Sequence, residues 1–286
     1  YLFNTTNGQL VKQLTKGSFE VTSYYGHDAA GKNFYFASNE GSPLEQYVYK
    51  VDVAGKRTRL TEGKGVNSAV FSKGCNYFLN TYSNLTTPYV SALYAASGKQ
   101  LKVLEDNAAL KSSLGNVQQG KAELFSFKTQ DGIELNGWMV KPATFSESRK
   151  YPVILYQYSG PGSQEVHNAY GNGFFGGLIW EQRLAQLGYI VVCVDGRGTG
   201  GRGADFQRCT YKQLGRLESH DQAEAAAYLG TLPFVDKARI GIWGWSFGGF
   251  NTIMSMCEGR ALFRCGVAVA PVTDWRYYDT IYTERF

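Results

Sequence analysis

Gly244-Trp245-Ser246-Phe247-Gly248 is the stretch that decides the fold, because it matches the G-x-S-x-G pattern of a serine on a sharp turn. An apolar run over 239–243 predicts a strand before the turn, and 247–256 predicts a helix after it. In that setting the Ser246 hydroxyl projects from a sheet as a candidate nucleophile. The backbone N–H of Phe247 then points to where an oxyanion would form. The alternative interpretation is a tight turn in a similar scaffold without catalytic activity.

The segments around this turn alternate between strand and helix, and a hairpin turning at Asp131-Gly132 precedes them. In chain order the predicted elements are strands 124–127, 133–140, 152–156, 189–194, 239–243 and 266–270, and helices 178–188, 218–229 and 247–256. Continuous apolar strands separated by helices are typical of a parallel sheet that is covered on both faces. We therefore predict a mostly parallel sheet with flanking helices after about residue 120.

The first part of the chain repeats a different plan: an aromatic strand, a glycine turn, a second strand, then leucine and a polar residue. The repeats are Tyr1 to Thr15, Tyr47 to Thr61 and Leu93 to Glu105. Their leucines, Leu14, Leu60 and Leu104, lie 46 and 44 positions apart. A period near 45 built from short strands is typical of β-propeller blades. We therefore predict antiparallel sheets without helices over 1–115, and we expect further blades before Tyr1, because a propeller needs at least about four.

The three histidines all precede Ser246, whereas the acid and the histidine of a triad on this kind of turn follow the serine. His27 lies in the repeats and His220 opens a helical segment, so we interpret both as structural. His167 could line a site but stands in the wrong order to be the base. The general base is therefore expected outside this sequence.

Two aspartates lie where an acid could be placed. Asp274 follows the strand 266–270 and is a candidate for the acid. Asp195 ends a strand but precedes the serine, so we interpret it as a residue that braces a loop.

The composition, with 43% hydrophobic and 19% charged residues, describes an ordinary folded protein. The net charge is +5 and no run of Lys and Arg stands out, so we predict no nucleic-acid partner. No apolar stretch approaches the roughly 20 residues that a membrane helix needs. The five cysteines fit neither a zinc site nor a disulfide framework, so we predict no metal and no cofactor.

Nearly the whole chain resembles the dipeptidyl peptidase IV branch of the prolyl oligopeptidase family. The segments that carry the resemblance are Trp243 to Gly249 with tryptophan before the serine, Ala270-Pro271-Val272 through Trp275 to Arg285, Tyr158 to Pro161, Asp195 to Gly198, and Val103 to Asn107. The fold that the resemblance implies is an α/β hydrolase preceded by β-propeller blades. We assign the blades to 1–117 and the catalytic domain to 118–286.

The resemblance implies a role for each matching residue. Ser246 is the nucleophile, and the Tyr158 hydroxyl and the Phe247 N–H bind the oxyanion. The residues expected to line a pocket for proline are Val272, Trp275, Tyr278 and Tyr282. A flat pyrrolidine ring without an N–H suits an aromatic box, although these side chains could also be ordinary core. Phe247 is itself a departure, because tyrosine is expected there.

The activity that the resemblance implies is the release of N-terminal Xaa-Pro or Xaa-Ala dipeptides through a Ser246 acyl-enzyme. The family's aspartate and histidine are expected after Phe286, and its paired glutamates before Tyr1, so these residues alone are expected to be inactive. The alternatives are another peptidase or esterase of this family and a non-catalytic binding scaffold. The expected partners are peptides with proline at the second position and a second copy of the full-length protein. The sequence itself leaves the compartment open, and the resemblance implies a periplasmic, cell-surface or secreted one.

Overall fold

The structure is a computed structural model that describes all 286 residues. It contains two compact units. The first comprises Tyr1–Ser113 with His167–Tyr170, and the second comprises Leu114–Val166 with Gly171–Phe286. The assignment of 1–117 to blades and 118–286 to a catalytic domain stays a prediction. None of the helices is both long and apolar enough to cross a membrane.

The first unit is built from antiparallel β-sheets. Its strands are β1 (Leu2–Phe3), β2 (Leu10–Lys12), β3 (Val21–His27), β4 (Asn33–Ser38), β5 (Tyr47–Asp52), β6 (Arg57–Arg59), β7 (Val66–Phe71), β8 (Tyr77–Asn84), β9 (Thr87–Ala95) and β10 (Gln100–Glu105). Two four-stranded sheets have the orders β3-β4-β5-β6 and β10-β9-β8-β7, and β1 pairs with β2 alone. Four strands joined by short turns are the unit of a propeller blade, which agrees with the predicted fold class.

Each repeat of the sequence corresponds to one hairpin, formed by the strand pairs β1-β2, β5-β6 and β9-β10. The turn glycines Gly8, Gly55 and Gly98 have φ values of 70°, 93° and 90°. That left-handed conformation is disfavoured for residues with a Cβ, which explains why glycine recurs there. The first repeat contributes only its hairpin, whereas the second and third each complete a four-stranded sheet.

Aromatic residues of the strands form the core between the two four-stranded sheets. Phe71 stacks on Phe78 with ring centroids 4.8 Å apart, and Phe78 stacks on Tyr94 at 5.1 Å. Tyr35 and Val48 of the neighbouring sheet belong to the same buried cluster. Aromatic and β-branched side chains fit the pleated surface of a strand, so the aromatic composition of these strands is what this packing requires.

A short helix departs from the prediction of antiparallel sheets without helices over 1–115. Helix α1 (Ala108–Gly115) follows β10, and none of its residues is buried. The Ala108 N–H donates to the Asp106 carboxylate at 2.9 Å, so an aspartate caps the first turn. Good helix formers such as Ala108 and Leu110 then favour the helix without a buried face. The prediction was wrong at this point because the repeat pattern had already ended.

The second unit contains one six-stranded sheet. Its strands are β11 (Lys121–Lys128), β12 (Glu134–Lys141), β13 (Tyr151–Tyr156), β14 (Ile190–Asp195), β15 (Val235–Trp245) and β16 (Cys265–Val269), in the order β11-β12-β14-β13-β15-β16. The β11-β12 and β12-β14 pairs are antiparallel, and the remaining three pairs are parallel. The predicted hairpin and the mostly parallel sheet are therefore confirmed.

Five α-helices accompany this sheet: α2 (Ile179–Gln186), α3 (Ala204–Arg208), α4 (Arg216–Thr231), α5 (Phe247–Met256) and α6 (Thr280–Arg285). Every residue of β14 is buried, as expected for a strand covered on both faces. Ala225, Ala226 and Leu229 of α4 pack in the same buried cluster as Leu155 and Ile242 of the sheet. The small alanine side chains at 223 and 225–227 let this helix approach the strands closely.

Candidate functional site

Ser246 stands at the turn between β15 and α5, as the motif predicts. Its backbone has φ 57° and ψ −114°, a strained conformation for a residue with a side chain. Two backbone hydrogen bonds hold it: Ser246 N–H donates to the Val269 carbonyl at 2.9 Å, and Phe250 N–H donates to the Ser246 carbonyl at 3.0 Å. The serine is therefore fixed at the N-terminus of a helix, where partial positive charge favours an anion.

The glycines around the serine are required by crowding. A Cβ on Gly244 or Gly248 would overlap the carbonyl oxygen of Gln157. A Cβ on Gly249 would lie 2.7 Å from the Val269 carbonyl oxygen. None of these three glycines has a positive φ, so it is the close approach of neighbouring backbone that excludes a side chain.

Tyr158 follows β13 and reaches the serine. Its side chain lies close to Ser246, and its ring centroid lies 6.2 Å from that of Phe247. Partial burial, and then the neighbouring Tyr278, raise the pKa of the Tyr158 hydroxyl above its ordinary value. The group therefore keeps its proton at neutral pH and is available as a hydrogen-bond donor.

The loop after Tyr158 is held by the loop that follows β14. The Asp195 carboxylate accepts hydrogen bonds from Glu165 N–H at 3.0 Å and from Val166 N–H at 2.8 Å. Gly162 N–H donates to the Gly198 carbonyl at 2.8 Å. Asp195 thus braces a loop, as its place in the sequence predicted.

The predicted pocket residues lie in the segment after β16. Trp275 is 5.7 Å from the Phe247 ring and stacks on Tyr282 at 5.8 Å, and Tyr278 meets Trp275 edge-on at 5.8 Å. These rings form a cluster beside the serine turn. Val272 is partly buried in the loop that leads to them.

Phe247 replaces the expected tyrosine at a position where an apolar side chain fits. Its side chain is 2% exposed, and its ring lies 5.4 Å from Phe250 and 5.7 Å from Trp275. The aromatic cluster therefore extends under the serine turn, and the backbone N–H of Phe247 does not depend on the missing hydroxyl.

The other candidate acid is engaged elsewhere. The Asp274 carboxylate accepts from the Arg276 guanidinium at 2.5 Å and from the Arg276 N–H at 3.0 Å. These hydrogen bonds lower the pKa of Asp274 to about 2. Asp274 therefore caps the 3₁₀ turn Trp275–Tyr277.

The histidines also have structural surroundings. The His220 ring lies 3.5 Å from the Glu258 carboxylate and 3.4 Å from the Arg260 guanidinium. His27 belongs to β3, and His167 belongs to the first unit.

The sequence interpretation missed a polar network beneath the site. Gln157 is fully buried and bonds to three residues of α5, among them Asn251. The available signal was a glutamine directly after an apolar strand and an asparagine within an apolar helix.

No cluster of three or more His, Cys, Asp or Glu residues is arranged to hold a metal ion.

An apolar groove of about 500 Å³ lies elsewhere on the sheet, lined in part by Phe174, Trp243 and Trp245. It includes none of the predicted site residues, so its size does not make it the candidate site.

Comparison with known proteins agrees with this geometry. The model of the prolyl oligopeptidase family matches residues 178–286, and the model of the dipeptidyl peptidase IV N-terminal region matches residues 1–89. A "Probable dipeptidyl-aminopeptidase B" of Pyrenophora teres f. teres is 41% identical over 282 residues, which cover 96% of this chain and 30% of that protein. Its namesake in Pyrenophora tritici-repentis is 40% identical, over 96% of this chain and 31% of that protein.

Among solved structures, the crystal structure of Porphyromonas gingivalis dipeptidyl peptidase 4 superposes with a TM-score of 0.94 and 48% sequence identity. The match covers 100% of this chain and 40% of that one. The chain thus spans about 30% of the length of the curated relatives that it matches. Blade-like sheets, a strained serine between strand and helix, and matches to both regions agree with one another: the chain belongs to the prolyl oligopeptidase family, in its dipeptidyl peptidase IV branch.

Proposed function

We propose that this chain carries the nucleophile and the oxyanion site of a serine-type dipeptidyl peptidase. The observation that carries the proposal is the strained conformation of Ser246 at the strand–helix turn, with the Tyr158 side chain close to it. A nucleophile and an oxyanion donor must lie within hydrogen-bond reach of one reacting carbonyl. Here one element supplies the serine and another supplies the donor.

In the proposed reaction, Ser246 Oγ attacks the carbonyl carbon of the second residue of a peptide. The C–N bond that follows breaks, the rest of the peptide leaves as a protonated amine, and water hydrolyses the acyl-enzyme to release the dipeptide. The Tyr158 hydroxyl and the Phe247 N–H stabilise the negative charge that develops on the carbonyl oxygen. The N-terminus of α5 adds its partial positive charge. A general base must take the serine proton, and we assign none of the chain's three histidines to that role.

The aromatic cluster supports a preference for proline at the second position. Trp275, Tyr278 and Tyr282 present ring faces and edges close to the serine turn. A proline ring fits such a box and brings no N–H that needs a partner. Relatives named as dipeptidyl-aminopeptidases point to release of dipeptides from the N-terminus. Peptides are therefore the proposed substrates, with Xaa-Pro or Xaa-Ala at the cleaved end and a homodimer as the proposed assembly.

Two other functions compete with this one. An esterase would keep Ser246 and Tyr158 but would gain nothing from an aromatic box, whereas a different peptidase of the family would differ in not requiring a free N-terminus on the substrate. A binding scaffold would not need the strained conformation at Ser246. Both alternatives are less well supported than the dipeptidyl peptidase.

The test uses the longest natural polypeptide that carries this sequence. We expect it to hydrolyse a Gly-Pro amide and to leave the N-acetylated form of the same amide intact. The Ser246→Ala variant should be inactive on both. Equal turnover of the blocked amide would argue for an endopeptidase, and turnover of simple esters alone would argue for the esterase.

A further inference from the structure

Gln157 is a buried amide at the point where β13 leads into Tyr158. Its side chain is 0% exposed, and its backbone N–H donates to the Trp243 carbonyl at 3.1 Å. That hydrogen bond continues the pairing with β15, the strand that ends at the serine turn. A buried amide needs protein partners, because burial without hydrogen bonds is costly. The positions of those partners show which elements Gln157 joins.

All the side-chain partners of Gln157 lie on the first two turns of α5. Its Nε2 donates to the Gly248 carbonyl at 2.7 Å and to Thr252 Oγ1 at 3.1 Å. Its Oε1 accepts from Asn251 Nδ2 at 3.1 Å. Asn251 and Thr252 are 0% and 1% exposed, so water does not compete for these bonds. One side chain therefore fastens the end of a strand to the start of a helix.

The strand end and the helix start also touch directly. A Cβ on Gly248 would overlap the Gln157 carbonyl oxygen and would lie 3.1 Å from Tyr158 Cα. No layer of side chains separates the two backbones at this contact. A change in the hydrogen bonds of Gln157 would therefore move the backbone at Tyr158 and Gly248 directly.

The two proposed oxyanion donors stand on opposite sides of this contact. The Tyr158 hydroxyl belongs to the residue after Gln157, and the Phe247 N–H belongs to the residue before Gly248. We propose that Gln157 is a positioning residue that sets the separation of these two donors. The inference rests on the proposed function, since it presumes that both groups bind the oxyanion.

A purely structural role is the competing explanation. In that case loss of the Gln157 side chain would lower the fraction of folded protein, but each folded molecule would react at the normal rate. A positioning role instead lowers kcat for each folded molecule, because the donors act on the transition state. It also requires that the effect depend on the Tyr158 hydroxyl.

The experiment is a double-mutant cycle on kcat in the longest natural polypeptide that carries this sequence. Gln157→Met keeps an unbranched side chain of similar length and removes the three hydrogen bonds to α5. Active sites are counted by titration with a fluorophosphonate, so that unfolded protein does not enter the rate. We expect Gln157→Met to lower kcat on a Gly-Pro amide about tenfold, since small misplacements reduce rates strongly, with KM nearly unchanged. In the Tyr158→Phe background the same change should lower kcat less than about twofold.

Equal factors in the two backgrounds would overturn the positioning role while leaving the proposed function intact. A kcat that does not respond to Tyr158→Phe would instead contradict the oxyanion role within the proposed function. If Gln157→Met does not fold, Thr252→Val removes a single partner, and the same cycle applies with a smaller expected factor. The matched control is Gln182→Met, because Gln182 exchanges two hydrogen bonds with the Gly120 backbone, remote in the chain from the site residues. It should leave kcat per active site unchanged.

Discussion

At Ser246 the backbone is strained, and Gly244 and Gly248, two residues away on either side, have no room for a side chain. The strain directs the hydroxyl away from the sheet, and the glycines allow Gln157 to approach from the adjacent strand. The two features are linked, because the crowding holds the serine in a conformation that it would otherwise leave. The glycines of the G-x-S-x-G motif are therefore required by a contact between elements that are far apart in the sequence.

Replacing Tyr158 by phenylalanine tests the oxyanion role at the scale of one atom. The ring remains and packing changes little, whereas the hydroxyl close to Ser246 is lost. We expect kcat to fall about 10²–10³-fold with little change in KM, as for loss of one oxyanion donor. Steady-state kinetics on a Gly-Pro amide measure both constants. Tyr228→Phe is the control, because Tyr228 packs on Phe125 and Phe127. A kcat within a few-fold of wild type for Tyr158→Phe would make Tyr158 only a wall of the cleft.

Replacing Trp275 by alanine tests the proposed proline pocket. The indole packs on Phe247, Phe250 and Tyr282, so its loss opens the cluster. We compare kcat/KM for a Gly-Pro amide with kcat/KM for a Gly-Val amide. We expect the ratio of the first to the second to fall about tenfold, within the usual range for a reshaped apolar pocket. Trp180→Ala, in the separate apolar groove, should leave the ratio unchanged. An unaltered ratio for Trp275→Ala would assign this cluster to the core rather than to specificity.

Helix α4 has a charged side chain on its buried face, where helices usually have apolar residues. Asp221 is 0% exposed, and its carboxylate accepts from the Arg197 backbone N–H at 2.7 Å and from Arg197 Nη2 at 2.5 Å. Arg197 also contacts Asp131 at 2.8 Å, so one arginine joins α4 to the hairpin turn. The Asp195–Gly198 loop is thereby fixed from both sides.

Removing this arginine should destabilise the fold strongly. In Arg197→Met the Asp221 carboxylate stays buried without its cation, which typically costs about 3–5 kcal/mol. We expect that loss in the free energy of unfolding measured by urea denaturation. Arg239→Met breaks a pair with Asp236 in which the arginine side chain is 56% exposed, so it should leave the free energy of unfolding nearly unchanged. Similar losses in the free energy of unfolding for both variants would contradict the conclusion that burial makes the Arg197–Asp221 pair more important than the exposed one.

The sequence predicted those elements whose signals are local. The serine turn, the hairpin at Asp131-Gly132 and the apolar strands were all found, and α5 was predicted with its observed bounds. Helices α1, α3 and α6 were not, because they are short and α1 and α6 start at caps such as Asp106 and Asp279 rather than on an apolar stripe. Residues 157 and 251 are 94 positions apart, so no local pattern reports their hydrogen bond.

At the scale of the whole molecule, buried carboxyl groups make stability depend on pH. Burial raises the pKa of Glu218 to about 7, and it raises the pKa of Asp195 to about 7 as well. In the unfolded chain both groups lose their protons near pH 4, whereas the folded state keeps them until about pH 7. The folded state therefore binds more protons in this window, and stability falls as the pH rises from about 4 to about 7.

The Glu218→Gln variant tests this dependence. Glu218 lies near Asp221 and accepts a hydrogen bond from Gly215 N–H at 3.0 Å, which a glutamine oxygen can also accept. We expect the variant to gain stability relative to wild type as the pH rises from 5 to 8, with the smallest difference at pH 5. Urea midpoints across that range measure it. A difference that shrinks with rising pH would contradict the sign.

Covalent labelling tests whether Ser246 is an activated nucleophile. The longest natural polypeptide that carries this sequence is treated with a fluorophosphonate, digested and mapped by mass spectrometry. We expect one adduct per chain, located on Ser246, whose formation a Xaa-Pro dipeptide slows by competition. We expect no adduct in Ser246→Ala. An adduct on another serine, or none on a folded protein that hydrolyses a Gly-Pro amide, would show that Ser246 is not the nucleophile.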